Sequence, residues 1–243
     1  MTYTSITAAM TSFTFDADNE GWAVLDYTGG RLFTGEVGGP AGITPMGNPG
    51  GAIIADDPNA DEGARFSAPT PFIGNASSLV GANLTFDLTV LLNFVPNTYT
   101  LSRALGLVYI ENDTSGDGLL YTGALPDDGW TTYSVTIGPN AAPLTLSPEA
   151  GLGGLPVPDE GFWAYIPDTS AIGAAFVDPT AMHFSDVLGG VTRFTITGEV
   201  LDGPSEILAL DNVHLTLAPI PAALPLLLSA LFGLVVAGRR TTS

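Results

Sequence analysis

Cysteine is absent from this 243-residue chain, and so is lysine: all six basic residues are arginine, against 25 acidic residues and two histidines. Without cysteine there is no disulfide framework, thiolate nucleophile or cysteine-ligated zinc site. A formal net charge of −19 repels phosphate backbones and anionic lipid headgroups, which excludes nucleic acids as partners. The two histidines, His183 and His214, form no H-x-x-x-H pair, and no serine stands in a G-x-S-x-G elbow. A histidine-based catalytic site is therefore not expected. Residues 1–12 also lack the charged n-region and apolar h-region of a secretory signal, and they read as a remnant ahead of the folded domain. Export of this chain would then need a leader encoded upstream or already removed.

What is present is apolar alternation punctuated by turns, with 30 glycines and 19 prolines. Phe13-Thr14-Phe15-Asp16 alternates, Asn19-Glu20-Gly21 turns, and Trp22-Ala23-Val24-Leu25 resumes the strand, with Trp22 in the core. Residues 51–55 and 84–90 are strands, the latter turning Leu84, Phe86, Leu88 and Val90 inward. Further strands are expected over 102–110, 130–137, 194–199 and 209–213. Residues 29–51 read as loops, with Arg31-Leu32-Phe33 the one short strand, and 138–178 reads as a loop-rich insert. Asp178 or Thr180 can cap a short helix that runs through Leu188 and stops at Gly189-Gly190. This pattern predicts an all-β, antiparallel β-sandwich over residues 13–217.

The end of the chain, residues 218–243, is different. It reads A-P-I-P-A-A-L-P-L-L-L-S-A-L-F-G-L-V-V-A-G-R-R-T-T-S, with no charge before Arg239 and Arg240. A bilayer core takes about 20 apolar residues as a helix, so this run is long enough to be a single C-terminal transmembrane helix. The paired arginines place the C-terminus inside and the preceding domain outside. Pro219-Ile220-Pro221-Ala222, the apolar run and the Arg239-Arg240 stop together resemble the PEP-CTERM class of bacterial sorting signals, most closely its V-P-L-P-A variant. That resemblance implies export, at least transient membrane anchoring in the cell envelope, and an exosortase-type processing enzyme as partner.

A second resemblance runs through the domain. The aromatic-x-Ala-Pro segment Phe66-Ser67-Ala68-Pro69, then Phe72-Ile73-Gly74, Gly81, the Leu84-Thr85-Phe86-Asp87-Leu88 strand and the closing Leu210-Asp211-Asn212-Val213 are similar to a laminin IV (laminin B) domain. The family implies a jelly-roll sandwich with a matrix or binding role and no catalytic residues.

Candidate sites follow from the remaining polar and aromatic residues. Hard cations take several oxygen ligands from loops, and in carbohydrate-binding sandwiches a structural calcium often joins the first and last strands; by that resemblance Asp16 or Asp18 meets Asp211. Two other acidic turns, 56–62 and 111–118, have similar composition. Glycan binding needs aromatic platforms, for which Trp130, Tyr121 and the Phe162-Trp163-Ala164-Tyr165 run are available. Alternation there either exposes Trp163 and Tyr165 as a glycan-stacking pair or buries them. The expected function is an exported, envelope-anchored, non-catalytic surface or matrix interaction protein. The alternatives are a carbohydrate-binding module for extracellular polysaccharide and, behind it, a glycan-active hydrolase using two close carboxylates.

Overall fold

The computed structural model describes residues 10–27, 35–40, 42–47, 50–57, 64–93, 100–101, 106–124, 126, 129–149, 155–169, 175–198, 201–202 and 206–217. In chain order its strands are β1 (Met10–Phe13), β2 (Ala23–Tyr27), β3 (Gly35–Pro40), β4 (Gly42–Gly47), β5 (Gly50–Asp57), β6 (Ala64–Ser67), β7 (Asn83–Asn93), β8 (Thr100–Leu101) and β9 (Val108–Asn112). They continue with β10 (Asp117–Tyr121), β11 (Thr131–Thr136), β12 (Leu146–Glu149), β13 (Leu155–Pro158), β14 (Trp163–Ile166), β15 (Arg193–Thr197), β16 (Leu201–Asp202) and β17 (Glu206–Thr216). One α-helix, α1 (Ala181–Leu188), lies between β14 and β15. A six-stranded sheet has the order β11-β7-β17-β5-β4, with β1 added on β17. A seven-stranded sheet has the order β14-β10-β9-β15-β6-β2-β3, and β12-β13 and β8-β16 form two small pairs.

The two sheets face each other across one apolar core, so the described residues form an all-β sandwich with one short α-helix. In β7 the expected inward set holds: Leu84, Phe86 and Leu88 are fully buried and Val90 packs against the same cluster. β11 alternates cleanly, with Tyr133 and Val135 buried while Thr132, Ser134 and Thr136 are exposed. Such alternation marks a strand with one wet face. Trp22 is a core residue, meeting Phe13, Phe15 and Phe72 largely edge-on at 5.8 to 6.1 Å between ring centroids. Edge-to-face packing sets positive ring edges against negative ring faces.

β9 is buried throughout, because both faces of its sheet are covered. Val108 and Ile110 enter the main core, whereas Tyr109 joins Leu120, Ile166 and Phe176 on the opposite face. Polar groups lie on that outer face too: Arg65 is buried with its guanidinium 5.7 Å from the Tyr109 ring, and Arg193 pairs with Glu111. Burial pushes the Glu111 carboxyl up, even though Thr169 and Arg193 both favour its charged form.

Two loop assignments are corrected. Residues 29–51 contain β3 and β4 rather than loops alone, and Gly50 and Gly51 begin β5. These two strands stand at the far ends of the two sheets, where a strand pairs on one side only and tolerates glycine and proline that a central strand would not. The expected Arg31-Leu32-Phe33 strand lies outside the described residues. In the supposed insert, β12 and β13 form a hairpin and β14 is the edge of the seven-stranded sheet.

The short helix is where capping chemistry puts it. The Thr180 hydroxyl accepts from the His183 amide and the His183 ring accepts from the Thr180 amide, a reciprocal capping box. Gly189 ends the helix, and Phe184, Val187 and Leu188 turn inward. Among the described residues no helix is long and apolar enough to cross a membrane. The tail, with Pro219, Ile220, Pro221, Ala222, Arg239 and Arg240, lies outside the described residues.

Candidate binding site at the seam between the sheets

β11 and β14 are the edges of opposite sheets on the same side of the sandwich, and Trp163 joins them. Its indole N–H donates to the Thr136 carbonyl at 2.8 Å, and its ring meets Phe184 edge-on at 5.5 Å. The backbone of the same residue is held by one side chain. Asn140 Oδ1 accepts from the Trp163 amide at 2.8 Å, Asn140 Nδ2 donates to the Trp163 carbonyl at 2.8 Å, and Nδ2 also donates to Asp178 at 3.1 Å. A side-chain amide has the donor and acceptor of a peptide group, so Asn140 serves β14 as a one-residue partner strand.

A pocket of about 490 Å³ opens beside this junction. Tyr121, Phe162 and Trp163 form one wall, Ser134 and Thr136 rise from β11, and the 138–142 turn supplies Gly138, Pro139, Asn140, Ala141 and Ala142. Tyr121 and Trp163 are register partners on β10 and β14, with ring centroids 5.3 Å apart. Burial pushes the Tyr121 phenol up.

The exposed Trp163 platform is corrected: the tryptophan is buried. Tyr165 shares its side of β14 and is half-buried, with its ring stacked on His183 at 3.9 Å and an interplanar angle of 7°. Its phenol is pushed up to about 12, by burial first and then by its hydrogen bond to Asp117. Tyr165 takes no part in lining the pocket. Phe162, the neighbour on the other phase of the alternation, is half-exposed there instead. Ala164 and Ile166 are buried on that phase as well, so alternation alone did not single out the inward face.

The acids of the calcium reading, Asp16, Asp18 and Asp211, each have hydrogen-bond partners of their own. The Asp16 carboxylate accepts from the Thr14 hydroxyl and the Gly51 amide, and Asp18 accepts from the Glu20 amide. Asp211 is buried in β17, accepts from the Asn212 amide, and stands opposite Asp87 in register. Among the described residues no group of three or more histidine, aspartate or glutamate side chains is placed to hold a metal. In the connection after β1, Asp18 accepts from the loop's own Glu20 amide in an Asx-type turn, while Asp16 reaches the Gly51 amide of β5. A β-bulge at Asn212, with φ of 49°, aims the Asn212 amide at Asp87 and Asp211. His214 hydrogen-bonds Ser12 across β1 and β17. Asp87 and Asn140 had no recognisable signal: the first sits on an outward phase and the second in an ordinary turn.

The geometry defines a two-sheet sandwich with a small pocket at its seam. No protein-family model matches the chain, and no curated protein matches it in sequence. Solved structures do. The L4b domain of human laminin alpha-2 matches with a TM-score of 0.53 at 15% identity, over 86% of this chain and 97% of that one. The chain shares that domain's fold. The family 11 carbohydrate-binding module of the cellulosomal cellulase Lic26A-Cel5E of Clostridium thermocellum matches at a TM-score of 0.39 and 14% identity, over 88% of this chain and 89% of that one. An exo-beta-agarase matches at 0.46 and 13% identity, over 87% of this chain and 25% of that one.

Proposed function

We propose that this chain is an exported, non-catalytic interaction domain of bacterial type, held at the cell envelope by residues 218–243 and processed there by an exosortase-type enzyme. The observation that carries this reading is the order of its two parts: a β-sandwich of the fold seen in a laminin domain, followed directly by the Pro219-Ile220-Pro221-Ala222 entry, the apolar run and Arg239-Arg240. The tail supplies membrane affinity, since an acidic domain gains nothing from anionic headgroups. The sandwich then meets extracellular polysaccharide or matrix. The sandwich fold it shares with a laminin domain supports a non-catalytic role.

The test is fractionation of cells expressing the gene with its upstream region. Envelope or extracellular protein with a processed C-terminus is the expected result, and soluble cytoplasmic protein with an intact C-terminus refutes the proposal. A calcium ion enters this reading only through Asp211. A melting temperature raised by calcium and no longer raised in Asp211→Ala supports it, and an unchanged melt ends it.

A further inference from the structure

The seam pocket combines three features that narrow its occupant. Its volume, about 490 Å³, falls within the ~300–1,000 Å³ of small-molecule sites. Among the described residues its lining contains no ionisable carboxylate or guanidinium, in a chain with 25 acidic residues. A cation would find no charged ligand there and an anion no counter-charge, and the field of the acidic domain repels anions further. A neutral occupant remains. The third feature is polarity without charge: the Tyr121 hydroxyl has no hydrogen-bond partner among the described residues, and Thr136 exposes its side chain on the same rim. The rings of Tyr121 and Phe162 line the same pocket, together with the small residues Gly138, Pro139, Ala141 and Ala142.

We propose that this pocket binds a neutral saccharide, with an apolar C–H face of the sugar against the Tyr121 and Phe162 rings and its hydroxyls on the Tyr121 hydroxyl and the β11 rim. Sugars carry both surfaces on one small body, and an aromatic wall with a few placed polar groups recognises both. Trp163 backs the pocket and is not a stacking platform, because it is buried, with its N–H donated to the Thr136 carbonyl. Asn140 positions it through its grip on the Trp163 backbone. The inference deepens the interaction-domain reading and rests on it in one respect: the sugar is held without being converted.

The full-length chain in mild detergent would be titrated with neutral tetrasaccharides of glucan, xylan, arabinan and galactan type, followed by calorimetry and tryptophan emission. Polygalacturonate fragments serve as the charged control. Saturable binding of at least one neutral sugar, with a change in tryptophan emission, is expected. Tyr121→Phe, which removes only the unpartnered hydroxyl, should weaken it about five- to tenfold with an unchanged melt. Ala142→Trp, at an exposed position, should abolish it by filling the pocket. The proposal is overturned if no neutral sugar binds, if only the charged control binds, or if both variants bind as the parent does. Cleavage of a bound sugar would leave the site standing and refute the non-catalytic reading. Binding by a chain that fractionates in the cytoplasm would leave the site standing and refute export.

Discussion

Replacing Asn140 by aspartate changes one atom group and reverses one interaction. The retained Oδ1 still accepts from the Trp163 amide, but the former Nδ2 becomes a carboxylate oxygen 2.8 Å from the Trp163 carbonyl and 3.1 Å from an Asp178 oxygen. Two donated hydrogen bonds are lost, each contributing about 1 kcal/mol. Two like charges would then stand in near contact, an energy of about 4 kcal/mol at 4 Å for an effective dielectric constant near 20, and less here because Asp178 is solvent-exposed. The variant should lose about 2–4 kcal/mol at pH 7, and Asn140→Ala, which breaks all three bonds without adding charge, about 3 kcal/mol. The pH dependence separates them. Once protonated, the introduced carboxyl donates one of the two bonds the asparagine amide gave and sheds its charge, so its folded-state pKa is raised above the ordinary value of about 3.9. The folded state then binds more protons than the unfolded one between the two pKa values, and stability falls as pH rises through that window. Thermal melts by near-UV circular dichroism from pH 4 to pH 8 should show Asn140→Asp approaching the parent at the acid end, while Asn140→Ala stays at a constant distance from it. A loss in Asn140→Asp that is independent of pH refutes the strand-partner account.

Thr180→Ala removes the N-cap of α1 and should cost about 1 kcal/mol, or roughly 2–4 °C in melting temperature for a chain of this size, read by calorimetry. Arg193→Met leaves the Glu111 carboxylate buried without its ion pair; denaturant unfolding should show a loss of about 3–5 kcal/mol at pH 7 and a smaller one at pH 4, where the carboxyl is neutral. The Tyr165 phenol, held neutral up to about 12, stabilises the fold fully below its unfolded value near 10 and loses that contribution as pH rises toward 12. Tyr165→Phe should therefore flatten the decline in stability across pH 10–12, and its absence from an ultraviolet phenol titration should remove the most alkaline step.

How legible these features were in the residues depended on how far each was set locally. The inward set of β7 and the clean alternation of β11 follow from pleating alone, and the helix stood out through Thr180 and Gly189, whose chemistry acts within one turn. β3 and β4 did not, because glycine-rich segments become strands only when a neighbour supplies the other half of the ladder. Trp163 offered two phases, and tertiary packing that buries both faces of β14 removed the contrast a periodicity argument needs. Asn140 could not be found from its neighbours: its role exists only because the chain returns 23 residues later to present Trp163. The resemblance to laminin IV domains pointed to the sandwich correctly.

One register row ties the pocket to the tail. Thr216, the last residue of β17, pairs with Asn83, and Asn83 in turn pairs with Thr136 on the pocket rim. Two strand spacings, about 10 Å, therefore separate the rim from the point where the chain departs toward Ala218. A protein tethered through residues 218–243 would carry its pocket on the side nearest the tether, with the far end of the sandwich toward the surroundings. Its accessible ligands would be those packed close to the membrane, and cutting the tether would turn a short-range latch into a probe able to search the whole extracellular space.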